Sequence, residues 1–262
     1  MTRWKASGIH FAISFVVLAS VFAFVVWRWY PPELFEMAKA RTLLSVLAGV
    51  DLVLGPLLTL IIYRHGKKGL KFDLLFIAIV QIAALVFGLH TVWESRPAYI
   101  VGTSDRFHLV FANEIDPASA KKAQAEYRRA PWLGPEIVSA PLPKDGKARF
   151  EAMIAAMTGL EIQFDPSKYV AYPSDNREPV KNALTAREVI SSAPPAERTA
   201  WQNAFERYRD TPDPGLLPLQ SSRGSASVLV DRADGRILGY VALNPWPVFT
   251  AAEKADTDAK VR

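Results

Sequence analysis

Hydrophobic positions crowd into the first third of the chain. No charged residue occurs from Ala6 to Trp27 or from Leu74 to Trp93, and Thr42 to Tyr63 carries only Asp51. Each run supplies the roughly 20 apolar residues that a helix needs to cross the hydrocarbon core. The pattern predicts an integral membrane protein with three transmembrane α-helices, over about residues 7–29, 42–63 and 73–93, forming a membrane domain 1–95. Trp27, Trp29 and Tyr30 close the first span and Trp93 closes the third, at the depth where amphipathic rings favour the headgroups. Tyr30-Pro31-Pro32 stops the first helix, because proline lacks a donor and disfavours helix in its predecessor. Leu34 and Phe35, just beyond, are expected to dip into the interface.

Past Trp93 the pattern becomes short and broken. Only Pro31, Pro32 and Pro56 of the 19 prolines precede residue 95, so the remainder reads as a loop-rich α+β domain over 96–246. Phe107 to Asn113 and Glu136 to Ala140 read as strands. Asp116-Pro117 places an N-cap before a first-turn proline, opening a helix toward Arg129. Phe150, Met153, Ile154, Met157 and Leu160 share one helical face, as do Trp201, Phe205 and Tyr208, and both stripes are expected to be core. Asp234-Gly235 between Val228, Val230 and Ile237, Gly239, Val241 is a hairpin signal. Residues 247–262 lack apolar periodicity and are expected to form a flexible tail.

Charge fixes the expected orientation. Residues 1–94 hold nine Lys/Arg against five Asp/Glu, and the later residues hold the other 22 and 21 of the totals of 31 and 26. The excess sits at Arg3 and Lys5 and in the link bearing Arg64, Lys67, Lys68 and Lys71, which should face the cytoplasm. The C-terminal domain, following the third span, then lies outside the cytoplasm, and the nearly neutral balance of that domain implies no nucleic-acid partner. Ala38-Lys39-Ala40 looks like a signal cleavage site, but it falls well beyond an apolar run already longer than an h-region, so an uncleaved anchor is expected.

Candidate chemistry is sparse. The chain has no cysteine, which excludes thiol reactions, and only four histidines. His10 and His90 lie near span ends and His65 lies in the basic link. His108 alone is in the outer domain, mid-strand, where it reads as a sheet-surface histidine without a nucleophile elbow to serve. Gly66-Lys67-Lys68-Gly69 lacks the spacing of a phosphate-binding loop. No cofactor or metal site is expected, and the chain is read as non-enzymatic. The alternative is a membrane-anchored periplasmic enzyme using an unidentified carboxylate pair. A transmembrane sensor is disfavoured by cytoplasmic segments too short for an output domain.

The second span differs. Asp51 lies close to mid-membrane, where an ionisable group costs about 2.5–3.5 kcal/mol on insertion scales. Gly55 and Thr59 follow at i+4 and i+8 on the same stripe, and Pro56 frees the carbonyl of Leu52. A stripe of this kind suits close helix approach, so Asp51, Gly55, Pro56 and Thr59 form a candidate helix-docking face. Its occupant is either a partner's membrane helix or a neighbouring span of the same chain, through Gln81, Ser14 or Ser20.

Arg3-Trp4-Lys5-Ala6 with His10, Trp29 to Phe35, Gly49 to Leu60, Gly66-Lys67-Lys68 through Asp73, Gln81 to His90 and Arg96 to Phe107 resemble the membrane half of the TfpX/TfpZ type IV pilin accessory proteins. Leu238-Gly239-Tyr240-Val241 and Pro245-Trp246 resemble that family's closing hairpin, while Asn113 to Gly224 matches thinly. The resemblance implies an inner-membrane protein of type IV pilus biogenesis that binds a pilin and stabilises it or modulates its assembly. It carries over no catalytic residue and leaves the oligomeric state open.

Overall fold

The computed structural model describes residues 2–261. The chain forms two compact units, one made of the residues up to Phe35 with Lys39–Arg96, the other of Glu36–Ala38 with the chain from Pro97 onward.

Three helices long and apolar enough to cross a membrane build the first unit: α1 (Arg3–Arg28), α2 (Ala40–Ile62) and α3 (Leu70–Glu94). α2 is interrupted. Its turn Val50–Leu54 is π-helical, directly ahead of Pro56. Proline cannot donate to Leu52, four residues back, and a widened turn is one way a helix absorbs that loss. α2 packs against both other spans, whereas α1 and α3 barely touch each other. Trp27 is exposed as expected of an interfacial ring, but Trp29, Tyr30 and Leu34 are buried. Trp29 packs 5.1 Å from Trp93, and the Tyr30 hydroxyl donates to the Ser95 carbonyl at 3.2 Å. Leu34 therefore does not dip into the interface: a 3-10 turn over Pro32–Leu34 folds it into protein.

An eight-stranded mixed sheet organises the second unit. Its strands are β1 (Pro97–Gly102), β2 (Phe107–Phe111), β3 (Glu136–Ser139), β4 (Val170–Ala171), β5 (Leu184–Thr185), β6 (Pro214–Gln220), β7 (Ser225–Asp231) and β8 (Ile237–Val241). The order is β4-β3-β1-β2-β6-β7-β8, with β5 added to β6. β1 pairs parallel with β3 and β2 parallel with β6, while β6, β7 and β8 form an antiparallel meander. The Asp234-Gly235 turn closes its last hairpin, with Gly235 at φ 86°.

Two cores support the sheet. One gathers Tyr99, Val101, Val110, Tyr127, Val138 and Tyr169, with the Tyr99 and Tyr169 rings edge-on at 5.0 Å. The other places Val189, Trp201, Phe205 and Val248 against Leu216 and Leu229, as the Trp201 stripe predicts. In the Glu36–Ala38 segment Ala38 is fully buried, and its carbonyl accepts from Arg223 Nη1 at 3.2 Å. The Arg223 guanidinium also lies 3.6 Å from the Phe111 ring centroid.

Several expectations are corrected. The helix after Asp116 spans only Pro117–Lys122; Ala123 turns inward and the following 3-10 turn sets Tyr127 beside Tyr99. The helix over Gly146–Met157 forms, but it has no buried residue: Phe150, Met153, Ile154 and Met157 are exposed, Met157 at 79%. An amphipathic stripe reports a helix and leaves open what covers it. The C-terminal segment, expected as a flexible tail for want of apolar periodicity, takes helical form over Trp246–Val261. Asn244 accepts from the Trp246 amide, Trp246 Nε1 donates to Ser225 Oγ at 3.1 Å, and Val248 is fully buried. The helix continues through Ala251, Ala252, Glu253, Lys254 and Ala255, good helix formers that need no apolar stripe.

Candidate functional site

Every member of the Asp51 stripe faces into the membrane unit. Asp51, Gly55, Pro56 and Thr59 are all buried. Helix α1 supplies two of their polar contacts: Ser7 Oγ donates to the Pro56 carbonyl at 2.9 Å, and His10 Nδ1 lies 2.6 Å from Thr59 Oγ1. Helix α3 supplies Gln81, whose Nε2 donates to the Asp51 backbone carbonyl at 3.3 Å. Gly55 makes room for that amide, because a Cβ there would lie 1.9 Å from Gln81 Nε2. The stripe is thus engaged by the neighbouring spans of its own chain. One atom is left over: the Asp51 side chain is 4% exposed as a residue, and its Oδ1 is buried with no hydrogen-bond partner among the described residues.

Sequence reasoning anticipated Gln81 as an internal partner but missed His10 and Ser7, which meet the stripe below Asp51. Their spacing in α1 carries a weak signal, since Ser7, His10 and Ser14 recur at i+3 and i+4 steps as polar interruptions of the apolar run. Ser20, considered as a partner, instead donates to the Val16 carbonyl of its own helix.

The basic residues Arg64, Lys67, Lys68 and Lys71 are exposed, the first three on a link shaped by Gly66 and Gly69 at φ 78° and 86° and Lys71 in the first turn of α3. Lys67 is tied to Asp73 at 2.6 Å. They place charge at one end of the spans.

In the outer domain a cleft of about 700 Å³ is lined by Arg106, His108, Glu161, Gln163 and Gln220 among others. His108 is more enclosed than a sheet-surface histidine: burial, aided by the Arg106 charge, lowers its pKa to about 4. Arg106 grips Asp105 at 2.5 Å and holds that carboxyl below its usual range. Glu136 is raised by burial and by the neighbouring charge of Glu126, but it sits at the exposed start of β3, outside the cleft lining. Among the described residues no group of three or more His, Asp or Glu side chains has the arrangement of a metal site.

The architecture is that of a polytopic membrane protein carrying an α+β domain after its third span. Two curated relatives, the fimbrial assembly proteins of serogroups E1 and I of Dichelobacter nodosus, are 27% and 26% identical over 223 residues, covering 84% of this chain and 86% of each relative. A third, the fimbrial assembly protein of serogroups C1 and C2, is 30% identical over 114 residues, 42% of this chain and 86% of that protein. The chain belongs to the fimbrial assembly protein family. No family model matches it, and no solved structure matches it. The narrower TfpX/TfpZ grouping rests on the sequence resemblance alone.

Proposed function

We propose that this protein is a non-catalytic accessory factor of type IV fimbrial biogenesis that binds a pilin subunit at the bacterial inner membrane before or during assembly. The observation that carries the reading is the likeness to fimbrial assembly proteins over 84% of the chain. The physical design agrees with it: three spans hold the protein in the bilayer, and a folded domain follows the third. The Lys/Arg distribution favours a cytoplasmic N-terminus and a periplasmic outer domain. Neither the Arg106–Asp105 pair nor the lone His108 supplies an activated nucleophile, which favours binding over catalysis.

The test is deletion and complementation in a fimbriated host. Loss of surface fimbriae on deletion, restored by the gene, with pilin co-purifying from gently solubilised membranes, is the expected result. Normal fimbriation without the protein overturns the reading. Two carboxylates whose removal abolishes function while pilin binding persists would move it to the enzyme alternative.

A further inference from the structure

Helices α1 and α3 flank α2 without closing on each other, and the gap between them is a groove within the membrane unit. Its walls are facing stripes: His10, Ser14 and Val17 with their neighbours on α1, and Ala78, Gln81 and Ile82 with theirs on α3. Asp51 lies at its floor. The open space at the base is about 270 Å³, room for a side chain and not for a helix. Ile13 and Val17 on one wall and Ile82 on the other are exposed.

The floor is what makes the groove selective. Asp51 is 96% buried, and its Oδ1 has no hydrogen-bond partner among the described residues. An unsatisfied polar atom at this depth is costly, because neither water nor lipid tails replace the missing bond. Acyl chains can fill apolar space but offer nothing to a carboxyl oxygen. A second helix laid across the mouth can, by inserting one hydroxyl, amide or ammonium group. Interhelical hydrogen bonds of this kind are a recognised driving force between membrane helices. The π-helical turn at Val50–Leu54, a feature frequent at functional sites, sits where Asp51 meets the groove.

We infer that the α1–α3 groove is a docking site for a membrane-spanning helix of another protein, which inserts a hydrogen-bonding side chain toward Asp51. The inference goes beyond the assembly role because it names the kind of segment bound, whichever membrane protein supplies it. In the assembly reading that segment comes from the fimbrial subunit.

The experiment places photoreactive benzoyl-phenylalanine at position 82, on the groove wall, or at the control position 87, exposed on α3 outside the groove lining, in the full chain in native membranes. Irradiation from position 82 should give an adduct whose cross-linked peptide is an apolar membrane segment of a different protein, at least tenfold over position 87. Asp51→Leu should lower the adduct at least tenfold, and Asp51→Asn, which keeps polar atoms, should hold it within about threefold of the original. Should Asp51→Leu fail to accumulate, Val17→Trp, which fills the groove from its exposed rim, makes the same test. Adducts only to lipid, only to a second copy of this chain, or insensitive to both Asp51→Leu and Val17→Trp overturn the proposal. If fimbriation requires the protein while no membrane-segment adduct forms at position 82, docking fails and the assembly role stands. If the adduct forms in a host whose fimbriation is indifferent to the protein, the reverse holds.

Discussion

A Cβ on residue 55 would lie 1.9 Å from Gln81 Nε2 and 2.5 Å from Gln81 Cδ, so Gly55 and Gln81 occupy complementary space between the second and third spans. The same Gln81 amide donates to the Asp51 carbonyl, so the glycine serves a hydrogen bond between the spans.

Gly55→Ala should therefore displace the Gln81 amide rather than force the helices apart, because the three nearest atoms all belong to one flexible side chain. The expected cost is the lost interhelical bond, about 1 kcal/mol. In a double-mutant cycle Gly55→Ala should be nearly neutral once Gln81→Ala is present, with the coupling read from thermal survival of the solubilised protein in mild detergent. Additive losses would mean that the glycine acts through something other than Gln81.

The two amphipathic stripes of the outer domain separate burial from pattern. Trp201 is fully buried against Val189, Leu216 and Leu229, and Trp201→Ala should cost about 3–5 kcal/mol. Met157 touches no core, and Met157→Ser should change stability by less than about 0.5 kcal/mol. Outer-domain denaturation followed by tryptophan or tyrosine fluorescence checks both. Comparable losses would require a cover over the Met157 face in solution.

That contrast shows what a sequence can and cannot disclose here. The spans were legible because an apolar run of about twenty residues with at most one charge has one physical meaning, and the last hairpin because Asp234-Gly235 fits a tight turn between alternating strands. Tertiary cover was not legible: Phe150, Met153 and Trp201 give the same periodic signal, and only assembly decides which face is met. Helix Trp246–Val261 escaped notice because, among the described residues, Val248 is its one fully buried anchor and the neighbouring residues follow propensity. The parallel pairings of β1 with β3 and β2 with β6 join residues far apart, for which no local pattern exists. At the candidate site Asp51, Gly55 and Thr59 were visible as a stripe. Their partners His10 and Ser7, 49 residues away in each pair, depend on how the spans pack.

His108 should make the outer domain acid-sensitive in a defined window. Its folded pKa is lowered from 6.5 to about 4, first by burial and then by Arg106, opposed by Glu161 and Asp105. The unfolded chain thus takes up a proton before the folded one does. The stabilising contribution is complete above pH 6.5 and falls as pH drops toward 4, by at most about 3 kcal/mol. The difference in melting temperature between the parent and His108→Gln should shrink across that interval and level off below it. Asp105, held low by Arg106, contributes above about pH 4 and loses its contribution only at lower pH, so it does not mimic the effect. A difference independent of pH between 4 and 6.5 would show that His108 is protonated in the fold.

Orientation can be read directly because the chain contains no cysteine, so any engineered thiol is unique. The positive-inside rule puts exposed Lys68 on the cytoplasmic side together with Arg64, Lys67 and Lys71. Asp210, whose side chain is 98% exposed, reports the outer domain. With a membrane-impermeant maleimide on intact spheroplasts, Asp210→Cys should label at once, and Lys68→Cys only after the membrane is permeabilised. Replacing Lys67, Lys68 and Lys71 together by Glu should erode that asymmetry, since only Arg3, Lys5 and Arg64 then remain to hold the cytoplasmic side. Prompt labelling of Lys68→Cys in intact cells would invert the topology and place the outer domain in the cytoplasm, where it could not meet a subunit's external portion.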